Sequence, residues 1–364
     1  MKKNHLKRKK ILVICPYPEG VAATQRLKYE QYFDSWREQG YEITISPFFS
    51  LPTWKILYKE GFFLQKCIGT LKGYVTRFFD LLRLKKFDHV YVCMWVTPLF
   101  DSLFERLYLS LSSSLIYDFD DAIHVEEDPS GHNSIRGLLK GKKKINILIN
   151  RASHVITSSP FNLEYCLLHN QNSSATYIPC SLDTTRFFPA TTRNRAKLTV
   201  GWTGTFSSKA YLDSIIDFLA PSCIELNLKL VIIGNFDYSV DGVDLEVIQW
   251  KESSEIEDLQ KIDIGLYPVI PSSWALGKGG LKVLQYMSIG IPSISTNFGT
   301  AQKIIEDGVD GFLVNSPEEW KEKISLLSRD VSLRDRLGKH GRNKVIENYS
   351  VTSIQKQYLK VLDG

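Results

Sequence analysis

The run Gly277-Lys278-Gly279-Gly280-Leu281-Lys282-Val283-Leu284-Gln285-Tyr286-Met287-Ser288-Ile289-Gly290-Ile291-Pro292 is a glycine-rich entry, one helix, and a Gly-x-Pro stop. Glycines let backbone approach a ligand closely. The first turn of the helix leaves amide N–H groups unpaired, and with the helix dipole these favour an anion such as a diphosphate. Lys278 and Lys282, one turn apart, add full positive charges at that start. Gln285, further along, is placed to reach outward toward hydroxyl groups. A plainer reading stays open: Gly279 and Gly280 allow close helix packing, and the lysines form a solvated face.

A second polar cluster, Tyr117-Asp118-Phe119-Asp120-Asp121-Ala122-Ile123-His124, ends a strand. Its carboxylates then project at the C-terminal edge of a sheet, where doubly wound folds bind ligands. Crowded carboxylates raise one another's pKa, which suits a base that works near neutral pH, and Asp120 and Asp121 are the candidates. Asp118-Phe119-Asp120 also has the Asp-x-Asp form used to hold Mg²⁺ or Mn²⁺. Such short acidic motifs are common, and a turn cap by Asp118 explains it equally.

These segments need a scaffold, and the 364 residues suit two domains of ordinary size. With 43% hydrophobic and 23% charged residues the chain has apolar surface enough for folded cores. Short β-branched runs alternate with helical periods, at residues 11–15, 24–39, 42–45 and 89–94, then at 114–117, 154–157 and 177–178. This is βαβ grammar and implies a parallel sheet. Turn chemistry at 179–189 and polar residues at 190–197 mark a boundary. A second series follows at 198–202, 228–233, 245–248, 262–267 and 293–296, and from 317 onward the pattern is helical. The expected class is α/β, with two Rossmann-like doubly wound domains: residues 1–182, residues 183–345, and a C-terminal helix, 346–364, packing back on the first domain. Six dispersed cysteines without a CxxC pair indicate reduced thiols. No stretch approaches the ~20 apolar residues of a membrane span.

The glycine-rich run, read with other segments in their order, resembles glycosyltransferase family 4 (group 1 glycosyltransferases) of the GT-B fold. The family signature has two glutamates eight positions apart before Gly-x-Pro; here they fall on Gly277 and Gln285, so neither carboxylate is present. Gly201-Trp202-Thr203-Gly204-Thr205 resembles the family's glycine loop, with Lys209 just beyond; an ordinary strand-to-helix turn fits it too. Residues 250–257 and Ile262-Asp263-Ile264-Gly265-Leu266-Tyr267-Pro268 resemble the segment under the nucleotide base, with Asp263 a structural turn residue. Ile178-Pro179-Cys180-Ser181-Leu182-Asp183 resembles the interdomain crossing. Cys15-Pro16-Tyr17-Pro18-Glu19-Gly20 resembles the loop facing the donor, and Arg26 is placed to meet a phosphate or to form a surface ion pair.

The resemblance implies a retaining transfer of a sugar from a nucleoside diphosphate sugar to a saccharide or lipid-linked acceptor, in surface polysaccharide or glycolipid synthesis. The two domains would face each other across a cleft. No metal or other cofactor is expected, and the leaving diphosphate assists the acceptor hydroxyl. Catalysis is then positioning plus charge stabilisation. The implied catalytic residues are Asp120, Asp121 and Lys282. The donor site is Gly20, Arg26, Gly204, Thr205, Lys209, Lys278, Gly279, Gly280, Leu281 and Gln285. Two alternatives keep the fold: a sugar-nucleotide epimerase or hydrolase, and a weakened nucleotide-sugar-binding partner subunit, to which the missing glutamates point.

Charge is uneven. Residues 1–10 carry six Lys or Arg and no acid, and residues 54–86 carry eight basic residues against Glu60 and Asp80. In the latter, Leu57, Leu64, Ile68, Leu71, Val75, Phe78 and Leu82 recur on one face, and Gly61, Gly69 and Gly73 predict a broken helix. Either this face packs on the first domain beneath solvated lysines, or it meets an anionic membrane surface from the cytoplasmic side. No nucleic-acid-binding motif accompanies the basic segments.

Overall fold

The computed structural model describes residues 8–99, 102–125, 142–191 and 197–364. The basic N-terminal stretch up to residue 7, and most of the polar run at 190–197, lie outside them. The chain forms two compact units, Met1–Pro179 with Gln355–Gly364, and Cys180–Ile354.

The first unit is built on a parallel sheet of β1 (Lys10–Cys15), β2 (Glu42–Pro47), β3 (His89–Cys93), β4 (Leu115–Phe119), β5 (His154–Thr157) and β6 (Ala175–Tyr177), in the order β2-β1-β3-β4-β5-β6. β1, β3 and β4 read as continuous apolar runs because helices cover both faces of an all-parallel sheet. On one face Leu12, Ile14, Val90, Val92, Tyr117 and Phe119 pack with Leu148 and Ile149. Aromatic rings build another cluster, in which Tyr29 and Trp36 contact Tyr91, Phe33 contacts Tyr29 and Trp36, and Tyr32 and Trp36 contact Tyr358. Tyr358 is how the C-terminal residues join this unit, together with Tyr41 Oη, which donates to Asp363 Oδ1 at 2.6 Å.

The single helix expected at 24–39 is three short pieces, Ala23–Arg26, a 3₁₀ turn Glu30–Tyr32, and Phe33–Glu38. Gln31 explains the interruption: its side-chain amide donates to the carbonyls of Leu27 at 2.8 Å and Lys28 at 3.3 Å, which a continuous helix would use itself.

The second unit repeats the design with β7 (Thr199–Thr203), β8 (Lys229–Gly234), β9 (Asp244–Gln249), β10 (Ile264–Tyr267), β11 (Ser293–Thr296) and β12 (Phe312–Val314), ordered β12-β11-β10-β7-β8-β9 and parallel throughout. Three-residue β12 gives too short an apolar run to be read from periodicity. The strand order reverses between β7 and β10, which is the crevice where such sheets bind ligands. Asp263 ties these two strands, its carboxylate accepting from the Thr199 amide at 2.9 Å.

In the 54–86 segment the break is real but lies elsewhere than Gly69 and Gly73. Helix Leu51–Leu57 ends before Gly61 and Phe62, which have φ of +74° and +57°, and helix Phe63–Leu81 then runs unbroken. Gly69 and Gly73 are contact points: a Cβ there would sit 2.4 Å from Thr53 and 2.5 Å from the Phe48 ring. Among the described residues no helix is long and apolar enough to cross a membrane.

Candidate functional site

In the second unit the predicted residues gather at the β7/β10 switch point. Helix Leu281–Ser288 is pinned to the sheet by Tyr286, whose hydroxyl accepts from the Thr203 amide at 3.0 Å and donates to the Leu266 carbonyl at 3.3 Å. That bond sets the helix start beside the loop leaving β7. Gly280 caps the helix at φ +72°, a left-handed conformation that favours glycine, and a Cβ there would also meet Ile304 at 2.5 Å. Its close packing and its placement at the helix start are thus both real, and the alternatives drawn from sequence are not exclusive.

The loop is preformed. Thr205 and Ser208 make a reciprocal capping box around the turn Phe206–Ser208. Thr205 itself is exposed. Lys282 Nζ reaches this turn, 3.4 Å from Ser208 Oγ and 5.0 Å from the centre of the Trp202 ring. Residues some seventy positions apart thereby converge: the glycine loop, the helix start with its orphan amides, and an ammonium. Lys278, partly buried, stacks over Tyr211 at 5.2 Å. Lys209 is differently engaged, paired with Asp213 at 2.8 Å and lying over Tyr238. Leu281 and Gly279 are half-buried at the same start.

Gln285 does not reach outward. It is 6% exposed, and its amide donates to Glu255 Oε1 at 3.2 Å, an oxygen that also lies 3.4 Å from the Trp250 indole nitrogen. The buried carboxylate absent from position 285 is therefore present close by, on helix Glu255–Leu259. Sequence reading missed Glu255, because nothing in its local spacing marks a pairing across thirty residues. Gln285→Glu is expected to place two carboxylates in contact in a buried setting and to cost about 1–3 kcal/mol at pH 7. The folded-state pKa of the pair would rise above its unfolded value, so the loss shrinks as pH falls. Thermal unfolding of Gln285→Glu, of Glu255→Gln, and of the exchanged double variant checks it: the exchange should recover most of the loss.

In the first unit, Gly20 and Arg26 flank the loop after β1. The Gly20 amide donates to Glu30 Oε2 at 2.9 Å, and Gln25 joins Tyr17 to Glu30, so the loop is fixed from within. Arg26 is buried at the end of its short helix. Asp120 sits at the edge of β4 and meets Lys28 Nζ at 2.7 Å, while wholly buried Asp118 meets the same ammonium at 2.6 Å and accepts from Tyr91 Oη. Asp118 is thus a core ion-pair partner of Lys28. Asp121, at φ +55°, holds the following turn, its carbonyl accepting from Asn162 Nδ2 at 2.9 Å. His124 stacks on Tyr165 at 3.9 Å, and burial pulls its imidazole down to about 4, leaving it neutral at pH 7.

Lys28 had a signal in the sequence. It falls on the buried phase of an aromatic segment, between Gln25 and Tyr29, where an ammonium must find a carboxylate. The acidic turn after β4 supplies it. The Asp-x-Asp form is thereby filled by a lysine, and among the described residues no group of three His, Cys, Asp or Glu side chains is arranged to hold a metal ion.

Residues 183–344 match the family model of group 1 glycosyl transferases. A probable sucrose-phosphate synthase of Thermosipho melanesiensis is 26% identical over 165 residues, 38% of each chain. The matches span from 10% to 47% of the length of the curated relatives. Among solved structures, sucrose-phosphate synthase from Thermosynechococcus elongatus superposes with TM-score 0.69 at 14% identity over 98% of both chains. Anabaena HepE in complex with UDP-glucose superposes with TM-score 0.65 at 15% identity, covering 97% of this chain and 99% of that one. The chain therefore has the two-unit GT-B fold of these structures, and its residues 183–344 match the group 1 glycosyl transferase model.

Proposed function

We propose that this protein transfers a sugar, with retention, from a nucleoside diphosphate sugar to a hydroxyl of a saccharide or lipid-linked acceptor, in surface polysaccharide or glycolipid synthesis. The observation that carries this reading is the convergence of Lys282, the Thr205–Ser208 turn and the Gly280 helix start at the switch point of the second sheet. There the backbone amides and the ammonium meet the charge that grows on the diphosphate as the bond to the sugar breaks. The sugar carbon bonds to the acceptor oxygen on the same face, and the acceptor proton passes to the departing diphosphate, so no protein nucleophile or metal is needed. Asp120 and Asp121, at the edge of β4, orient the acceptor. The UDP and UDP-glucose bound by Anabaena HepE support a nucleotide sugar as the donor.

The test is a thermal-shift screen across nucleotide sugars. A donor at a hundred times its dissociation constant adds about 2.7 kcal/mol, which raises Tm by roughly 5–10 °C for a unit of this size. Product formation that requires an acceptor supports transfer. Release of free sugar or of an epimer without one supports the hydrolase or epimerase reading, and a shift with no turnover in any assay supports a binding subunit. No shift with any nucleotide sugar overturns the proposal.

A further inference from the structure

Helix Phe63–Leu81 is mounted with its apolar face outward. Its buried positions are Gly69, Gly73, Arg77 and Asp80, whereas Phe63 is 79% exposed, Leu71 66% and Leu82 just beyond it 70%, with Leu64, Ile68, Val75, Phe78 and Phe79 exposed as well. The outward residues at 64, 68, 71, 75, 78 and 82 follow three- and four-residue spacing, so they form one stripe opposite the buried one. The preceding elements add exposed Leu51, Tyr58 and Phe62.

This orientation is locked. Arg77 is fully buried, and its guanidinium donates to the Val96 carbonyl at 2.8 Å, the Cys15 carbonyl at 2.9 Å and Ser46 Oγ at 3.0 Å, beside Asp80. Gly69 and Gly73 let the helix seat against Thr53 and Phe48. Rolling the apolar stripe inward would unpair a buried charge network, so the outward stripe is a built feature. Soluble monomers rarely expose so continuous an apolar surface unless it is an interaction site.

We infer that this face docks the first unit flat on an anionic lipid bilayer. Charge selects the occupant. The exposed basic residues of the segment are Lys55, Lys59, Lys72, Lys85 and Lys86, and its one exposed acid is Glu60, since Asp80 is buried against Arg77 and Arg83. Lysines rimming Phe and Leu suit a helix lying in the headgroup region, with apolar side chains in the acyl boundary and ammonium groups on lipid phosphates. A second copy would set two such basic rims against each other, and protein interfaces are depleted in lysine. The inference is independent of the donor site in the other unit.

The experiment is cosedimentation of the full chain with vesicles of phosphatidylcholine containing about one-third phosphatidylglycerol, against phosphatidylcholine alone. The expected result is binding to the anionic vesicles that falls at high salt. Lys72→Glu with Lys85→Glu should weaken it at least about thirtyfold. Phe78→Ser with Leu82→Ser should weaken it at least about tenfold. All four side chains are exposed, so Tm and the donor-induced thermal shift should stay at the parent values and show the variants to be folded. The inference is overturned if the folded chain does not bind anionic vesicles, or if both double variants bind like the parent. It is equally overturned if the patch instead drives a concentration-dependent dimer that the serine variants abolish while vesicle binding is absent.

Discussion

Lys28→Met is expected to destabilise the first unit by about 3–5 kcal/mol, the range for removing one partner of a buried ion pair. The ammonium is buried and lies within 2.7 Å of Asp118 and Asp120, and Asp118 is wholly enclosed. Burial by itself pulls the Lys28 pKa down, but the two carboxylates outweigh it and hold the group protonated throughout the neutral range. Without Lys28, Asp118 would keep only the Tyr91 hydroxyl, and a lone carboxylate in an apolar setting takes up a proton. Its folded-state pKa in the variant would then exceed its unfolded value, so the folded variant binds more protons and gains stability as pH falls. The deficit measured by urea unfolding should accordingly be smaller at pH 5 than at pH 7. Lys28→Met with Asp118→Asn should recover part of it, a coupling that independent sites would not show. A loss under about 1 kcal/mol at pH 7 would mean that the network is not what fixes the β4 edge.

The same network shows where the sequence is legible and where it is not. Strand-scale features follow from local pattern: β1, β3 and β8 are apolar runs bounded by turn residues, and the helix start at Gly280 announces itself through glycine and lysine spacing. Pairings across the fold do not. Gln285 with Glu255, Lys282 with Ser208, and Lys28 with Asp118 each join residues from different βα units, and their meeting depends on strand order. Amphipathic periodicity likewise reports that a helix has two faces without saying which is buried. In helix Phe63–Leu81 the glycines and Arg77 decided it, because a glycine-lined face approaches its neighbour closely and a buried arginine needs fixed acceptors. Gly69 and Gly73 were thus legible as unusual, but the reading of them as helix breaks took the weaker of glycine's two roles. The same ambiguity explains Gln285: an amide suits outward hydroxyl groups or an inward carboxylate equally, and only the position of Glu255 chooses.

Lys282→Ala is expected to abolish the thermal shift given by nucleoside diphosphate sugars and to lower kcat/KM by about 10²–10³, the usual cost of removing one preorganised donor to developing charge. Folding should barely notice. The half-buried ammonium lies over Trp202 and near Ser208, contacts that contribute about 0.5–1 kcal/mol at such a site. Two companion variants separate charge from position. Ser208→Ala removes both the hydroxyl near Lys282 and one half of the capping box, so it should weaken donor binding partially while costing about 1 kcal/mol of stability. Lys209→Ala removes a cation already committed to Asp213 one turn along its helix, and should alter the donor shift by no more than about 0.5 kcal/mol. Lys282→Arg keeps the charge but replaces a compact ammonium with a planar fork beside the Trp202 ring, so it should retain the shift and lose turnover. Isothermal titration with nucleoside diphosphate, set beside steady-state rates, distinguishes these outcomes. A Lys282→Ala protein that keeps the parent shift and rate would place the diphosphate elsewhere, since the loop and helix start cannot hold two negative charges at this edge while remaining indifferent to the one ammonium that joins them.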